Sequence, residues 1–244
     1  MKLLNWNVWY KEDIKAIAKV IASQNADVAC LQEVTVGCKY NEGLDTPKYL
    51  AEKLGFDCFF VASQNAREGD CEWVYGNVIL SRNKIKNKKH VFLQKPSTDY
   101  EDYSAVARTY LEGIIKSDKG KEITIATTHL AYAHGFEDTE AKKAEGKKLL
   151  EVIQPKNYIL CGDFNAIPNS FTVKELGKRL KNAGPPFEEK TWATKPFDYR
   201  GFKEDKLRWR IDYVFCSRDL KVRSAKILKV KPSDHLPILV EFDF

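Results

Sequence analysis

The chain has 244 residues, of which 43% are hydrophobic, and its formal net charge is +6 with 30% charged residues. A chain of this length can bury a full hydrophobic core, and α/β folds of this size are commonly one domain, which we expect over residues 1–244. The positive surplus suits an anionic partner, but it is too small to establish nucleic-acid binding by itself.

The cysteines and the apolar runs exclude several classes of protein. The cysteines lack the close paired spacing of a zinc site, so we expect buried free thiols. They are Cys30, Cys38, Cys58, Cys71, Cys161 and Cys216. No apolar run approaches membrane-spanning length, and the first residues are too polar for a signal peptide. We therefore expect a cytoplasmic protein without a membrane span, and no obligate protein partner is evident.

The chain opens with a predicted strand-helix-strand unit. Residues 2–9 alternate in the manner of a strand, apolar residues recur at helical spacing from Ile14 to Ile21, and residues 26–34 predict a second strand. Asn7 and Glu33 then fall at the carboxyl ends of two neighbouring strands. Glu33 is a suitable ligand for Mg²⁺, whereas Asn7 alone is equally well explained as a buried structural amide.

A second helix and further strands are predicted next, with a basic segment between two of the strands. A helix over residues 46–54 has Pro47 at its start, and residues 58–62 and 76–81 predict strands. Residues 82–90 predict a basic turn before a short strand. Its lysines indicate a solvated hairpin or, alternatively, a surface that follows phosphates. They are Lys84, Lys86, Lys88 and Lys89.

Two more strands carry polar residues of a catalytic type. Arg108, in a strand over residues 105–115, faces inward or into a cleft if the alternation holds, and otherwise forms a surface salt bridge. His129 lies at the end of the next strand. A helix then begins at Asp138 or Thr139, and we expect its lysines on the outer face: Lys142, Lys143, Lys147 and Lys148. The predicted architecture has helices outside, strands inside and functional groups at the strand ends.

Asp163 and Asn165 follow a short buried strand over residues 158–160. They lie two residues apart and should face the same way, which sets a carboxylate beside an amide. The alternative is an Asx turn, in which both side chains only satisfy backbone donors. Ser170 then predicts the N-cap of another helix.

The last third of the chain supplies an acid and a histidine. Asp212 lies in an apolar strand-like run and needs a partner, because an unpaired buried acid costs several kcal/mol. His235, next to Asp234, is the natural candidate, since an Asp behind a His fixes its tautomer and supports its charged form. Ahead of both, the aromatic loop over residues 184–210 is open to two interpretations. Its rings stack on bases or close over a substrate, or they pack on each other.

Six short motifs resemble the endonuclease/exonuclease/phosphatase superfamily, whose members have deoxyribonuclease-I-like folds. Each motif is weak alone, but six in family order make a chance match improbable. They are Asn-Trp-Asn-Val at 5–8, Leu-Gln-Glu at 31–33, Thr-His-Leu at 128–130, Gly-Asp-Phe-Asn at 162–165, Arg-Ile-Asp-Tyr at 210–213 and Ser-Asp-His at 233–235. The resemblance implies a four-layer αββα sandwich, in which two packed mixed β-sheets are flanked by helices.

The resemblance also implies a role for each site residue. Glu33 would be the principal Mg²⁺ ligand, with Asn7 beside it, Asp234 would complete the metal shell, and Mn²⁺ would be able to substitute. The roles implied for the other residues are attack, phosphate binding and orientation. Asp163 would orient or deprotonate the attacking water, Asn165 and His129 would hold phosphate oxygens, Asp212 would orient His235, and Arg108 would be a further phosphate clamp.

Differences between this sequence and one subfamily reduce the number of substrate classes to consider. Exonuclease III-like and apurinic-site endonucleases usually read Gln-Glu-Thr-Lys where this chain has Gln-Glu-Val-Thr at 32–35, and they lack a histidine at the place of His129. The chain looks closer to the branch of tyrosyl-DNA phosphodiesterases, deoxyribonuclease I, sphingomyelinases, deadenylases and inositol polyphosphate phosphatases. Within that branch the basic surplus and the aromatic loop favour a phosphodiesterase that acts on nucleic acid, and the resemblance implies that it depends on Mg²⁺.

Two alternatives remain. One is a phosphatase or phosphodiesterase on a small or lipid-borne phosphate, such as an inositol phosphate. The other is a non-catalytic binding module on the same fold. It is less favoured, because a carboxylate cluster repels phosphate unless a metal is present.

Overall fold

Two six-stranded β-sheets face each other in the computed structural model, which describes residues 1–68, 71–96 and 104–244. The strands are β1 (Lys2–Asn7), β2 (Val28–Val36), β3 (Asp57–Glu68), β4 (Cys71–Ser81), β5 (Ile85–Gln94), β6 (Arg108–Lys116), β7 (Glu122–His129), β8 (Tyr158–Asp163), β9 (Lys181–Asn182), β10 (Phe197–Tyr199), β11 (Phe202–Glu204), β12 (Asp212–Cys216), β13 (Lys221–Ile227) and β14 (Ile238–Asp243). The α-helices are α1 (Ile14–Ser23), α2 (Thr46–Leu54), α3 (Glu140–Val152) and α4 (Phe171–Arg179), and Lys39–Asn41 and His134–Phe136 form short 3₁₀ turns.

Each sheet contains one parallel pair of strands. The first sheet has the order β13-β14-β1-β2-β4-β3 and the second has the order β5-β6-β7-β8-β12-β9. The pairs β1–β2 and β7–β8 are parallel, and the other neighbours are antiparallel. The side-chain amide of Asn5 on β1 donates to the Gly162 carbonyl on β8. The carboxyl ends of both parallel pairs therefore lie at the same end of the sandwich.

The helices cover the outer faces of the two sheets. Apolar residues of both sheets meet between them: Leu3, Cys30, Ile79, Ile125, Ile159 and Val214. On one outer face Ile17 of α1 packs with Trp6, and on the other Leu176 of α4 packs with Phe164. The predicted four-layer arrangement is confirmed. It follows from strands that are apolar on both faces and need cover on both sides.

The helix starts follow local capping chemistry. Ser170 caps α4, as predicted, by accepting a hydrogen bond from the Val173 N–H. The cap of α2 is Asp45, one residue before the predicted start, and its carboxylate accepts from the Lys48 N–H. A side-chain oxygen at this position satisfies one of the backbone donors left open at a helix start.

The prediction of a basic turn over residues 82–90 was wrong. That segment enters the edge strand β5, and the ammonium groups of Lys84 and Lys88 lie 3.6 and 3.8 Å from the Asp57 carboxylate. The segment forms a strand through its ladder with β6, and lysines on such an exposed edge strand oppose pairing with another chain.

The prediction that all four α3 lysines face outward was also wrong for one of them. Lys142 is 3% exposed, whereas Lys143 and the other two reach solvent. The backbone carbonyls that accept its three hydrogen bonds explain how the protein tolerates a buried ammonium group.

The aromatic loop packs largely on itself. Trp192, Phe197 and Trp209 join Tyr132 and Phe136 in one cluster. The β10–β11 hairpin lies within this loop. Some of these rings also line a cleft described below, so the two interpretations are compatible.

All six cysteines are free thiols, as predicted. Cys30, Cys38, Cys161 and Cys216 are buried, and Cys58 and Cys71 are partly exposed. Within the ranges given above, no helix is both long enough and apolar enough to cross a membrane.

Gly162 should be irreplaceable, because β8 touches β7 there. Its φ is +154°, and a Cβ at this position would lie 2.0 Å from the Thr128 carbonyl oxygen. We expect Gly162→Ala to lower the free energy of unfolding in urea by about 3 kcal/mol, since it adds backbone strain and overpacking.

Gly177→Ala is the matched control. Gly177 is an exposed position of α4 with no atom within 4 Å of a built Cβ, so alanine should raise stability by about 0.5–1 kcal/mol. Equal effects of the two substitutions would contradict this account of the β7–β8 contact.

Candidate active site

Four polar side chains from the two parallel strand pairs lie at one cleft or directly behind it. Asn7 ends β1, Glu33 lies in β2, and His129 and Asp163 end β7 and β8 as direct register partners. Because the parallel pairs end at the same side of the sandwich, residues distant in sequence meet there.

A β-bulge directs Glu33 into the cleft. The register between β2 and β4 shifts between Leu31 and Val34, and Glu33 has a φ of +62°. The strand continues to Val36, beyond the predicted end. Gln32, by contrast, turns to the space between the sheets, where its amide donates to the Asn5 and Thr127 side chains. The bulge is thus the local feature that re-aims the carboxylate.

The Asn7 amide joins two carboxylates that come from different sheets. Its oxygen accepts from the Trp9 N–H at 3.0 Å, which fixes the orientation of the amide. Its nitrogen donates to Glu33 Oε1 and to Asp163 Oδ2, both at 3.0 Å. In this orientation the amide nitrogen, rather than the oxygen that a metal would need, faces Glu33.

Asp163 is a buried carboxyl group that titrates near neutrality. Its Oδ1 accepts from the Asn165 N–H at 2.8 Å, which is the Asx turn considered above, while Oδ2 faces the cleft. Burial raises its pKa to about 7, and the charge of Asp212 adds to this rise while that of His235 opposes it. The two interpretations of Asp163 are therefore compatible, because one carboxylate oxygen forms the Asx turn and the other faces the cleft.

The predicted pairing of Asp212 with His235 is present. The distance from His235 Nδ1 to Asp212 Oδ2 is 2.9 Å, and His235 Nε2 lies 3.7 Å from Asp163 Oδ2. Burial lowers the pKa of His235, but the charges of Asp212, Asp234 and Asp163 outweigh it and raise the pKa to about 10. His235 is therefore an imidazolium at neutral pH, with its second N–H aimed at the cleft.

Asp163, Asp212 and His235 have ligand atoms within 4.8 Å of one another, a spacing that also suits a metal ion. However, the short Nδ1–Oδ2 contact uses the imidazole nitrogen and a carboxylate oxygen that an ion would require. Two acids around one charged imidazole balance most of their charge without an ion. We interpret this trio as a hydrogen-bonded acid-base group.

His129 is held in its neutral form on the opposite side of Asp163. The Asn165 amide nitrogen donates to the Leu130 carbonyl at 3.0 Å and lies 3.1 Å from His129 Nε2, which accepts its second hydrogen. Burial, and then the positive charges of Arg108, His235 and Lys142, hold the pKa of His129 well below its usual value. Both amide hydrogens of Asn165 are used, so in this arrangement Asn165 orients His129.

Glu33 and Asp234 offer oxygen ligands for a cation. Asp234 Oδ2 accepts from the Trp192 indole N–H at 2.9 Å, and Oδ1 lies 4.0 Å from His235 Nε2. Burial raises the pKa of Glu33, and repulsion by the Asp234 carboxylate raises it further. A hard divalent cation beside both carboxylates would remove this repulsion, so the donor set fits such an ion.

The cleft is larger than these groups alone require. It has a volume of about 440 Å³ and includes Arg108, which is 5% exposed. One group of lining residues consists of aromatic rings and a proline: Tyr132, Phe136, Trp192, Phe197 and Pro196. The other group mixes aromatic and cationic residues: Trp9, Tyr10, Lys11, Arg67, Trp73 and Tyr75. Asn7 and Asp212 lie behind the cleft and act through hydrogen bonds.

Sequence reasoning missed Lys142 and Ser233. The Ser233 hydroxyl donates to the Asn7 carbonyl at 2.7 Å and ties the loop that carries His235 to the end of β1. Lys142 could have been found from its spacing, because it lies three and seven residues before Glu145 and Leu149 on the buried face of α3.

The fold and the cleft together define a class of protein. A sequence model of the Endonuclease/Exonuclease/phosphatase family matches residues 4–235, and the chain belongs to this family. It is 26% identical over 279 residues to nocturnin from Homo sapiens, an alignment that covers 97% of this chain and 58% of that protein. The chain thus spans less than two thirds of the length of the mammalian nocturnins that it matches.

Solved structures show the same fold. The endonuclease/exonuclease/phosphatase from Beutenbergia cavernae superposes with a TM-score of 0.75 at 20% identity, over 99% of this chain and 71% of that one. A mannosyl-6-phosphatase from Bacteroides thetaiotaomicron superposes with a TM-score of 0.70 at 20% identity, over 100% of both chains. The predicted deoxyribonuclease-I-like fold is confirmed.

The Asp212–His235 pair should leave a signature in the pH dependence of stability. The pKa of His235 is raised above its unfolded value, so its contribution to stability is complete below pH 6.5 and is lost as the pH rises through about 10. In Asp212→Asn the free energy of unfolding should fall less steeply between pH 7.5 and 10, because the principal opposing charge is gone. Urea titrations in chelator measure this slope.

The pH range separates His235 from Asp163. The pKa of Asp163 is raised to about 7, so its loss of stability runs from acid pH to about pH 7 and is over before the measured window. Identical slopes above pH 7.5 in the two proteins would contradict the assignment of a charged His235.

Proposed function

We propose that this protein is a Mg²⁺-dependent phosphodiesterase that hydrolyses phosphodiester bonds in nucleic acid. The observation that supports the proposal is that Glu33, Asp163, His129 and His235 meet at one cleft. Asp163, whose pKa is about 7, lies between the neutral imidazole of His129 and the charged imidazole of His235. Family membership supports the hydrolase chemistry.

Glu33 and Asp234 would hold the metal ion, with Asn7 keeping Glu33 in place. The bound ion would neutralise charge on the phosphate and polarise it toward attack. Mn²⁺ offers a similar preference for oxygen ligands and would be able to substitute.

The side chains divide the remaining chemistry by charge. Asp163, whose pKa lies near 7, would take a proton from the attacking water. The charged His235, fixed by Asp212, and the buried Arg108 would bind phosphate oxygens as negative charge develops on them. His129, neutral and held by Asn165, would border the same phosphate.

The two groups of lining residues support a nucleic-acid substrate. A phosphodiester carries an organic group on each side, and this cleft is lined by one group of aromatic residues and by a second group that mixes aromatic and cationic residues. Trp9 belongs to the second group. The ammonium groups of Lys195 and Lys11 lie 5.0 and 5.9 Å from its ring centroid. Bases stack on such rings, and neighbouring phosphates pair with such cations.

The backbone of Trp9 supports the same interpretation. Its φ is +55°, which is unusual for a bulky residue and costs of the order of 1–3 kcal/mol. The hydrogen bond from its N–H to Asn7 holds this conformation. The ring is therefore fixed relative to the two carboxylates that Asn7 joins.

Hydrolysis of bis(4-nitrophenyl) phosphate tests the proposed chemistry. We expect turnover with Mg²⁺ or Mn²⁺ that is abolished by chelator, and a kcat about 10²- to 10⁴-fold lower in Asp163→Asn, because removal of a general base costs this much. Asp118→Asn, an exposed change at the other end of the sandwich, is the control and should keep full activity.

Assays of phosphate diesters and monoesters side by side distinguish the phosphodiesterase from the phosphatase and from the binding module. Hydrolysis of phosphate monoesters such as inositol phosphates, with no cleavage of diesters, would favour the phosphatase. No turnover of either substrate with any divalent cation would favour the binding module and would sink the proposal.

Trp9→Ala tests the substrate class. We expect KM for a single-stranded oligonucleotide to rise about tenfold, since one stacked base contributes roughly 1–3 kcal/mol, while KM for an abasic oligonucleotide of the same length stays unchanged. Phe244→Ala is the matched control, because this ring also has a lysine at 5.5 Å but borders the distant end of the sandwich. An equal effect of Trp9→Ala on both substrates would argue against a stacking surface.

A further inference from the structure

A buried ammonium group lies directly under the proposed active site. Lys142 on α3 is 3% exposed, and its Nζ donates to the carbonyl oxygens of Ala131, Phe164 and Asn165 at 2.6, 3.1 and 2.6 Å. An ammonium group has three N–H donors, so Lys142 uses all of them on backbone carbonyls. None of the roles assigned above uses this residue.

Glu145, one turn further along α3, is hydrogen-bonded to Ala131, which also accepts from Lys142. Its two carboxylate oxygens accept from the Ala131 N–H at 3.2 and 3.0 Å, and its side chain is buried. Lys142 and Glu145 thus hold the carbonyl and the N–H of one residue. A backbone unit fixed at both of its polar groups has little freedom to rotate.

The three carbonyls belong to the two loops that carry the reacting groups. Ala131 is two residues after His129, and Phe164 and Asn165 directly follow Asp163. The Nζ therefore sits where the chain leaving β7 and the chain leaving β8 come together. The distance that this junction controls is the 3.4 Å between His129 Nε2 and Asp163 Oδ2.

Stability alone is a poor explanation for a cation at this position. Burial lowers the pKa of Lys142 to about 8, although the charges of Glu145 and Asp163 oppose this effect. A buried ion pair that is replaced as a whole by apolar residues of similar volume often shows little loss of stability, or a gain. What an apolar side chain does not supply is three directed hydrogen bonds to two different loops.

We propose that Lys142, supported by Glu145, is a positioning residue that sets His129 against Asp163 for phosphodiester hydrolysis. This inference rests on the proposed function. The ammonium acts through the backbone of residues 131, 164 and 165 and does not touch the substrate. Its removal should reduce the rate of the chemical step and leave ground-state binding nearly intact, because misplacement of a reacting group by about 1 Å costs about a hundredfold in rate.

Lys142→Met tests the inference, because methionine has nearly the same shape and no donors. We expect kcat on bis(4-nitrophenyl) phosphate to fall about 10- to 100-fold with KM changed less than about threefold. Lys143→Met is the matched control on the same helix, since Lys143 is half exposed and pairs only with Glu140 among the described residues. A kcat for Lys142→Met within twofold of the parent, in folded protein, would overturn the proposal.

Lys142→Arg keeps the test decisive if Lys142→Met does not fold. Arginine retains charge and donors with a different reach, so we expect a folded protein with an intermediate kcat. When His129 is already replaced by alanine, Lys142→Arg should lower kcat little further, because the position of His129 relative to Asp163 no longer matters. Additive losses in the double variant would indicate a merely structural role and overturn the inference.

The parent enzyme separates failure of this inference from failure of the proposed function. Absence of metal-dependent turnover by the parent protein would overturn the proposed function, and this inference with it. Normal turnover by the parent protein together with an unaffected Lys142→Met would overturn the inference alone.

Discussion

The Asn7 amide is the contact on which the site depends. One nitrogen donates to Glu33 from the first sheet and to Asp163 from the second, while the oxygen is occupied by the Trp9 N–H. Two buried carboxylates repel each other and lose hydration, so they stay close only where donors and cations meet both. Glu33 and Asp163 therefore come together only because the two sheets pack closely, and β8 in turn lies close to Thr128 of β7 at Gly162.

The charges around this contact are separated in space. Carboxylates that suit a cation, Glu33 and Asp234, border the cleft, while His235 and Arg108 offer positive charge for a phosphate. Lys142 adds a positive charge from beneath and helps to keep His129 neutral. Asp163 lies between these groups, and its pKa near 7 reflects burial balanced against them. The surroundings shift the pKa values of these groups in different directions, and such perturbed values are typical of functional sites.

Much of the site could be predicted because its residues are marked by local pattern. His129 and Asp163 follow apolar runs that read as strands, and Asp212 stands out in such a run because a buried acid needs a partner, which His235 provides. The missed features have a different origin. The bulge at Glu33 depends on pairing with β4, and β5 forms through its ladder with β6 although its own sequence is polar.

The sequence by itself determined most of the strands and helices and which polar residues follow the strand ends, because apolar residues recur periodically and buried polar ones are costly. The four-layer class came from the resemblance of its short motifs to a known family. Only the tertiary structure decided which way Glu33 points, that the Asn7 amide turns its nitrogen to both carboxylates, and which backbone carbonyls accept from Lys142. These features are set by contacts between segments as far apart as Asn7 and Asp163, and no local pattern records them.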